Sequence, residues 1–181
     1  MAKHDTRIRI LEAAGQVVLE RGAAGLTLEA VAAAADLSKG GLLYHFGTKE
    51  ELLMAMVDRL IEVTEDRIQS HRRTDTEPGS WARGYIHACA VDNVPANDPT
   101  GRLGVALLAA GATRPDLTAS LRERQATWRE RLHEDGIDPA NAQVARLAAD
   151  GLWLSDIFGL PVLSDDERPG VIERLEKLTR P

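Results

Sequence analysis

The sequence predicts an all-α protein, on three observations. Ala and Leu dominate the apolar residues, and there are only two Phe and two Tyr. Val and Ile never gather into the alternating runs that strands favour. Apolar positions instead recur every three or four residues, bounded by capping residues and by polar Pro/Gly stretches. At 181 residues the chain suits a small domain joined to a larger one, with enough apolar surface for a core without staples.

The elements follow in order. Asp5 is the expected cap of a first helix reaching Arg21, with Ile8, Leu11, Gly15 and Val18 on one face and Gly22 as its stop. Thr27 caps a short second helix ending near Ala34, with Glu29 complementing its dipole and Leu28, Val31 and Ala32 pointing inward. Residues 35–37 make the turn. Ser38 caps a third helix expected to reach about Phe46, and Gly47 breaks it. Thr48 caps a fourth, with Glu50 and Glu51 in its first turn and a stripe of Leu53, Met56, Val57 and Leu60. Beyond the loop HRRTDTEPGS, helices are expected over residues 80–91 and 102–112, from TRPDL to Gly136, from DPANAQ to Phe158, and over a last stretch holding Val171, Leu175 and Leu178. The pairs Glu173–Lys177 and Glu176–Arg180 support the last helix. The boundary falls at Gly47: a three-helix domain over residues 1–47 and a six-helix domain over 48–181.

The net charge of −6 is unevenly spread. Residues 1–50 hold six Lys/Arg and six Asp/Glu, so the whole excess lies in residues 51–181. Most of the molecule repels a polyanion, and any nucleic-acid contact is confined to the neutral N-terminal segment. The single cysteine, Cys89, excludes an intrachain disulfide and fits a reducing cytosol. The N-terminus has scattered charges and no apolar signal region, and no uncharged run is long enough to span a bilayer, so a cytoplasmic protein with no membrane partner is expected.

Two short helices joined by a three-residue turn, with a supporting first helix, make a helix-turn-helix. The second of the pair enters the major groove. Lys39, Gly40, Leu43 and Tyr44 share one side of it, and Leu42 and Phe46 share the other and lock it to the core. Gly40 and Gly41 weaken the first turn by about 1 kcal/mol each relative to alanine. Without Cβ atoms they let that turn lie close to DNA. Thr27 and Lys49 begin the flanking helices, where backbone N–H groups suit phosphate.

These residues carry a resemblance. GLTLEAVAAAADLSKGGLLYHFGTKEELL, Gly25 to Leu53, resembles the TetR family of bacterial transcriptional regulators, in the Thr opening helix two, the SKGGLLYHF stretch and the TKEELL that follows. The resemblance implies that Lys39, Gly40, Gly41 and Tyr44 face bases or nearby backbone, and that Thr27, His45 and Lys49 meet phosphates. Leu43 departs from the polar or aromatic residue common at its position, which suits contact with a thymine methyl.

A two-fold dimer reads two half-sites, so a dimer surface is expected. Val144, Leu147, Ala148, Gly151, Leu152, Ser155 and Phe158 form one apolar stripe, and Val171, Leu175 and Leu178 a second. Paired across a homodimer they would make a four-helix bundle; packed within one chain they would be core. Met56, Leu60, Trp81, Tyr85, Cys89, Leu107, Trp128 and Trp153 are candidate walls of an effector pocket. Few charges project among them, which implies a small apolar effector. His87, Cys89 and Asp92 do not share a helix face and lack zinc spacing, so no metal is expected. No Gly-rich phosphate loop or nucleophile elbow is present, and neither an enzyme nor a cofactor is implied. The expected function is a ligand-responsive repressor on a pseudo-palindromic duplex DNA operator. The competing reading is an all-helical small-molecule binder or interaction module without operator binding.

Overall fold

The computed structural model describes residues 2–22, 25–91, 104, 111 and 115–181. Its helices are α1 (Ala2–Arg21), α2 (Leu28–Ala34), α3 (Lys39–Leu43), α4 (Lys49–Arg72), α5 (Ser80–Ile86), α6 (Ala119–His133), α7 (Pro139–Phe158) and α8 (Arg168–Leu178). A wide π-type turn, His87–Val91, prolongs α5, and a 3-10 turn, Pro115–Thr118, leads into α6. No strand occurs among the described residues. Of the helix expected over residues 102–112 only Gly104 and Gly111, both helical, are described, and the candidate Leu107 and Asp92 lie outside the described residues.

The chain divides into two compact units, Met1–Leu60 with Pro99–Leu121 and Ile61–Asp98 with Arg122–Pro181. The cut between these units falls within α4, whose Leu52, Met56 and Val57 are buried as deeply as the residues of the helices before them. In the first unit α1 packs on α2, and α2 on α3. Helix α1 starts at Ala2, so Asp5 sits in its first turn instead of capping it. Its buried face centres on Ile10, Ala14 and Val17, and Ile8 is half-buried.

In the second unit α5 packs on α7 and α8, and α7 on α8. All of α5 is buried. Its N-terminus is capped from far along the chain: the Asp135 carboxylate accepts from Trp81 N at 3.0 Å and Ala82 N at 2.8 Å. Gly79 precedes it at φ +83°, where a Cβ would stand 1.8 Å from the Thr179 carbonyl oxygen. Only glycine fits both demands. Arg83 lies 1% exposed in this core. It forks onto the Asp75 carboxylate and donates to the carbonyls of Pro78, at 3.0 Å, and Thr179. That guanidinium holds the Asp75 carboxyl down to about 2.

Asp138 caps α7 through Ala140 N and Asn141 N, with Pro139 in the first turn and Gly159 closing the helix at φ +62°. On α8 the Glu173–Lys177 pair forms at 2.6 Å. Glu176, expected to pair with Arg180, instead lies 2.8 Å from His87 Nε2.

Candidate nucleic-acid interface and aromatic cluster

Helices α2 and α3 are built by local chemistry. Thr27 Oγ1 accepts from Ala30 N at 3.1 Å and Ser38 Oγ from Gly41 N at 3.0 Å, which satisfies one free donor at each helix start. Between them Asp36 takes a left-handed φ of +53°, and Leu37 N returns to Ala32 O at 2.9 Å. Asp tolerates that conformation better than most side chains, which is how a turn without glycine closes. Regular helix ends at Leu43, short of the expected Phe46. The Leu42 carbonyl accepts from both His45 N at 2.8 Å and Phe46 N at 3.0 Å, so the last turn tightens.

Leu42 and Phe46 are buried, and the Arg7 guanidinium stacks over the Phe46 ring at 4.4 Å. On the opposite side Leu43 is exposed and Tyr44 is 71% exposed. The two glycines differ. A Cβ on Gly40 would meet open space, whereas one on Gly41 would press within 3.3 Å of the capping Ser38 hydroxyl. Gly40 thus opens the surface, and Gly41 serves the cap.

Lys39 Nζ lies 2.6 Å from Glu29 Oε1, a pair that ties α3 to α2. The hydrogen bond from Lys39 holds the Glu29 carboxyl below its ordinary range. No short-range spacing in the sequence signals this pair. Thr27 is exposed at the start of α2, and Lys49 is half-buried at the start of α4. His45 packs edge-on to Tyr44, ring centroids 5.3 Å apart, and lines a hollow with Arg7, Phe46, Glu51, Met54, Ala55 and Asp58. Helix α4 opens with a reciprocal cap: Thr48 Oγ1 accepts from Glu51 N at 3.1 Å, and Glu51 Oε2 accepts from Gly47 N at 2.8 Å.

The effector candidates divide. Met56 and Leu60 are core of the first unit. Trp81, Tyr85, Cys89 and Trp128 are buried in the second, and Trp153 is half-buried on α7. Trp81 and Tyr85 stack with centroids 5.5 Å apart, and Tyr85 meets Trp128 edge-on at 5.4 Å. The expectation that few charges project here is corrected. Arg146 lies over the Tyr85 and Trp128 rings at 5.6 and 6.0 Å. Asp150 accepts from Tyr85 Oη at 2.6 Å, and Glu65 accepts from Trp128 Nε1 at 2.9 Å. These charges come from helix positions that the apolar pattern passes over. Burial, first among the causes, raises the pKa of Asp150 and of Tyr85, and it raises that of the Cys89 thiol well above the ordinary range. No group of His, Cys, Asp and Glu suited to a metal occurs among the described residues.

The two apolar stripes also divide. Val144, Leu147 and Phe158 are exposed, and a Cβ on Gly151 would meet open space. Ala148, Val171 and Leu178 are half-buried. Leu152, Ser155 and Leu175 are instead core of this chain, with Ser155 Oγ satisfied by the Gly151 carbonyl at 2.7 Å. Three exposed apolar residues outside the predicted stripe, Leu154, Leu160 and Val162, extend the open face.

Comparison with known proteins settles the family. Residues 10–56 match the domain of bacterial regulatory proteins of the tetR family, and residues 79–180 match the tetracyclin repressor-like C-terminal domain. The chain belongs to the TetR family. Among its relatives, the HTH-type transcriptional regulator TtgR of Pseudomonas putida is 36% identical over 73 residues, 40% of this chain and 34% of TtgR. The match thus spans about a third of TtgR's length. Among solved structures, the TetR-family member SCO1917 of Streptomyces coelicolor A3 aligns with a TM-score of 0.69 at 26% identity, covering 94% of this chain and 97% of its own. The multidrug binding protein EbrR, complexed with malachite green, aligns with a TM-score of 0.63 at 26% identity, covering 97% and 98%. TetR-family proteins are helix-turn-helix regulators, a class whose members are in general not enzymes. No described helix is long and apolar enough to cross a membrane.

Proposed function

We propose that this protein is a homodimeric, ligand-responsive repressor that binds a pseudo-palindromic operator in the cytoplasm. One observation carries the reading. The short α3 pins Leu42 and Phe46 in the core and leaves Lys39, Gly40, Leu43 and Tyr44 open together on its other side. Lys39, Gly40, Gly41, Leu43 and Tyr44 meet bases and the adjoining backbone, and Thr27, His45 and Lys49 meet phosphates. The exposed face of α7, Val144, Leu147, Gly151 and Phe158 with Leu154, supports pairing of two copies. The domain boundary follows function: residues 1–47 read DNA, and the remainder binds effector and partner copy. EbrR's binding of malachite green supports a small-molecule site in the second unit. Because α4 begins at Lys49, a ligand that shifts it would move the reading helices and favour release.

Selection of duplexes from a random pool, followed by fluorescence anisotropy, tests this. The selected site is expected to be a pseudo-palindrome bound with a steep salt slope. Tyr44→Ala is expected to abolish specific binding and leave the dimer intact by analytical ultracentrifugation. Lys49→Ala is expected to weaken binding to all duplexes about equally. An unchanged operator affinity for Tyr44→Ala would overturn the assignment of α3 as the reading helix.

A further inference from the structure

Among the described residues, three buried side-chain nitrogens in the second unit lack a hydrogen-bond partner, His71 Nε2 and two donors of the aromatic cluster. Trp81 is 2% exposed, and its indole Nε1 has no hydrogen-bond partner. Arg146 keeps only 10% of its side chain exposed, and its Nε also has none. The nearest carboxylate oxygen, Asp150 Oδ2, is 3.9 Å away, too far for a hydrogen bond. Buried donors are rarely left unmet, so each such pair calls for a reason.

Two carboxylate oxygens nearby are already engaged. Asp150 Oδ1 takes the Tyr85 hydroxyl. Glu65 Oε1 takes both the Trp128 indole at 2.9 Å and Arg124 at 3.0 Å, with Arg131 3.9 Å off. Around these rings the three guanidiniums of Arg124, Arg131 and Arg146 face the two carboxylates of Glu65 and Asp150. The Arg146 guanidinium is held against the faces of Tyr85 and Trp128. The Asp150 side chain is 38% exposed, so this polar edge reaches solvent while the rings behind it do not.

We infer that the second unit takes a small apolar molecule bearing an anionic group, a carboxylate, with its body against the Trp81, Tyr85 and Trp128 rings and its oxygens on the free N–H groups of Arg146 and Trp81. This rests on the reading of that unit as the effector module and replaces its uncharged effector by an acid. A hydrocarbon leaves both donors unmet. A cation brings like charge to the Arg146 guanidinium. A carboxylate supplies two acceptors, and a charge-assisted bond to a partly desolvated guanidinium is stronger than a neutral one.

The experiment is calorimetric titration of the full-length protein with phenylacetate, its neutral isostere phenylacetamide, toluene, and the cationic dye malachite green. Phenylacetate is expected to bind about tenfold tighter than the amide. Arg146→Met is expected to bring the two within about twofold, whereas Arg146→Lys keeps part of the preference. Trp81→Phe, which removes the N–H and keeps the ring, is expected to weaken acid and amide alike. Circular dichroism confirms that each variant is folded, and Arg146→Lys carries the test if Arg146→Met is not. Equal affinity for acid and amide overturns the inference. So do tighter binding of toluene or the dye, no binding of any of the four, and a preference untouched by folded Arg146 variants. Operator anisotropy on the same samples separates the two readings. Acid-selective binding that leaves operator affinity unchanged sinks the ligand-responsive regulator and keeps the ligand class. Operator release by toluene or the dye alone does the reverse.

Discussion

The reading helices and the core of the second unit are held by opposite kinds of bond. Around α2, α3 and the start of α4 the side-chain caps span three or four residues: Thr27 with Ala30, Ser38 with Gly41, Thr48 with Glu51, Glu51 with Gly47. Around α5 they span from 54 to 96 residues. Trp81 is capped from 54 residues away, Tyr85 reaches 65, His87 reaches 89, and Arg83 reaches 96. The comparison teaches where each unit keeps its stability. Loss of one local cap frays one turn. Loss of one long-range bond removes a polar tie between helices that otherwise meet through apolar packing.

The largest expected effect follows from that contrast. Arg83→Met keeps the apolar stem and removes the charge, which strands the Asp75 carboxylate and the Thr179 carbonyl. Breaking a buried pair by removing one partner costs about 3–5 kcal/mol. The urea midpoint of folding should fall accordingly. A loss under about 1 kcal/mol would mean that the long-range network is ornamental and the contrast misdrawn.

The same contrast explains what the sequence made legible. Ser38, Thr27 and Thr48 announce their helices because a cap and its target are neighbours, and the pinned pair Leu42/Phe46 follows from a four-residue spacing. The contents of the aromatic cluster were half legible. Trp81, Tyr85, Cys89 and Trp128 do gather, because each is the apolar residue of its helix face. Glu65, Arg146 and Asp150 were not foreseen, because a charge on a helix looks like a solvated one until its distant partner is known. Arg83 was missed for that reason. Leu152, Ser155 and Leu175 show the converse: a stripe marks a buried face but not whether the chain or a partner buries it. Asp36 carries no signal of its left-handed turn beyond being Asp.

Acid should act next on the buried Arg83 network of the second unit, through its Asp75 pair. The Asp75 pKa is depressed from 3.8 to about 2, with the Arg83 hydrogen bond as the first cause. A folded pKa below the unfolded one gives stability that is present above about pH 4 and lost as pH falls toward 2. Wild type should therefore lose more stability between pH 5 and pH 2.5 than Asp75→Asn, which has no such proton to take up. Parallel acid profiles for the two proteins would show that Asp75 does not hold the charge state that the geometry assigns.

On the local side, Ser38→Ala should cost about 1 kcal/mol, the usual value of an N-cap. The larger effect should fall on operator affinity, because α3 has only five residues, Lys39–Leu43, and one frayed turn removes most of it. An unchanged operator affinity would mean that DNA itself orders the helix.

The smallest effect sharpens the comparison most, because it concerns the one described bond that joins α2 to α3 by charge. Glu29 and Lys39 are both exposed, so Glu29→Gln should leave the urea midpoint where it is. Its effect belongs to binding. In the free protein Glu29 holds Lys39 at 2.6 Å, and on DNA that ammonium has phosphates and base edges to meet. Removing the carboxylate frees the lysine and takes a negative charge away from the duplex, so affinity should rise by about two- to threefold, the scale of an exposed ion pair. A fall in affinity would show instead that Glu29 aims Lys39 at its target, and that the reading surface is preorganised by a contact between helices as well as by its local caps.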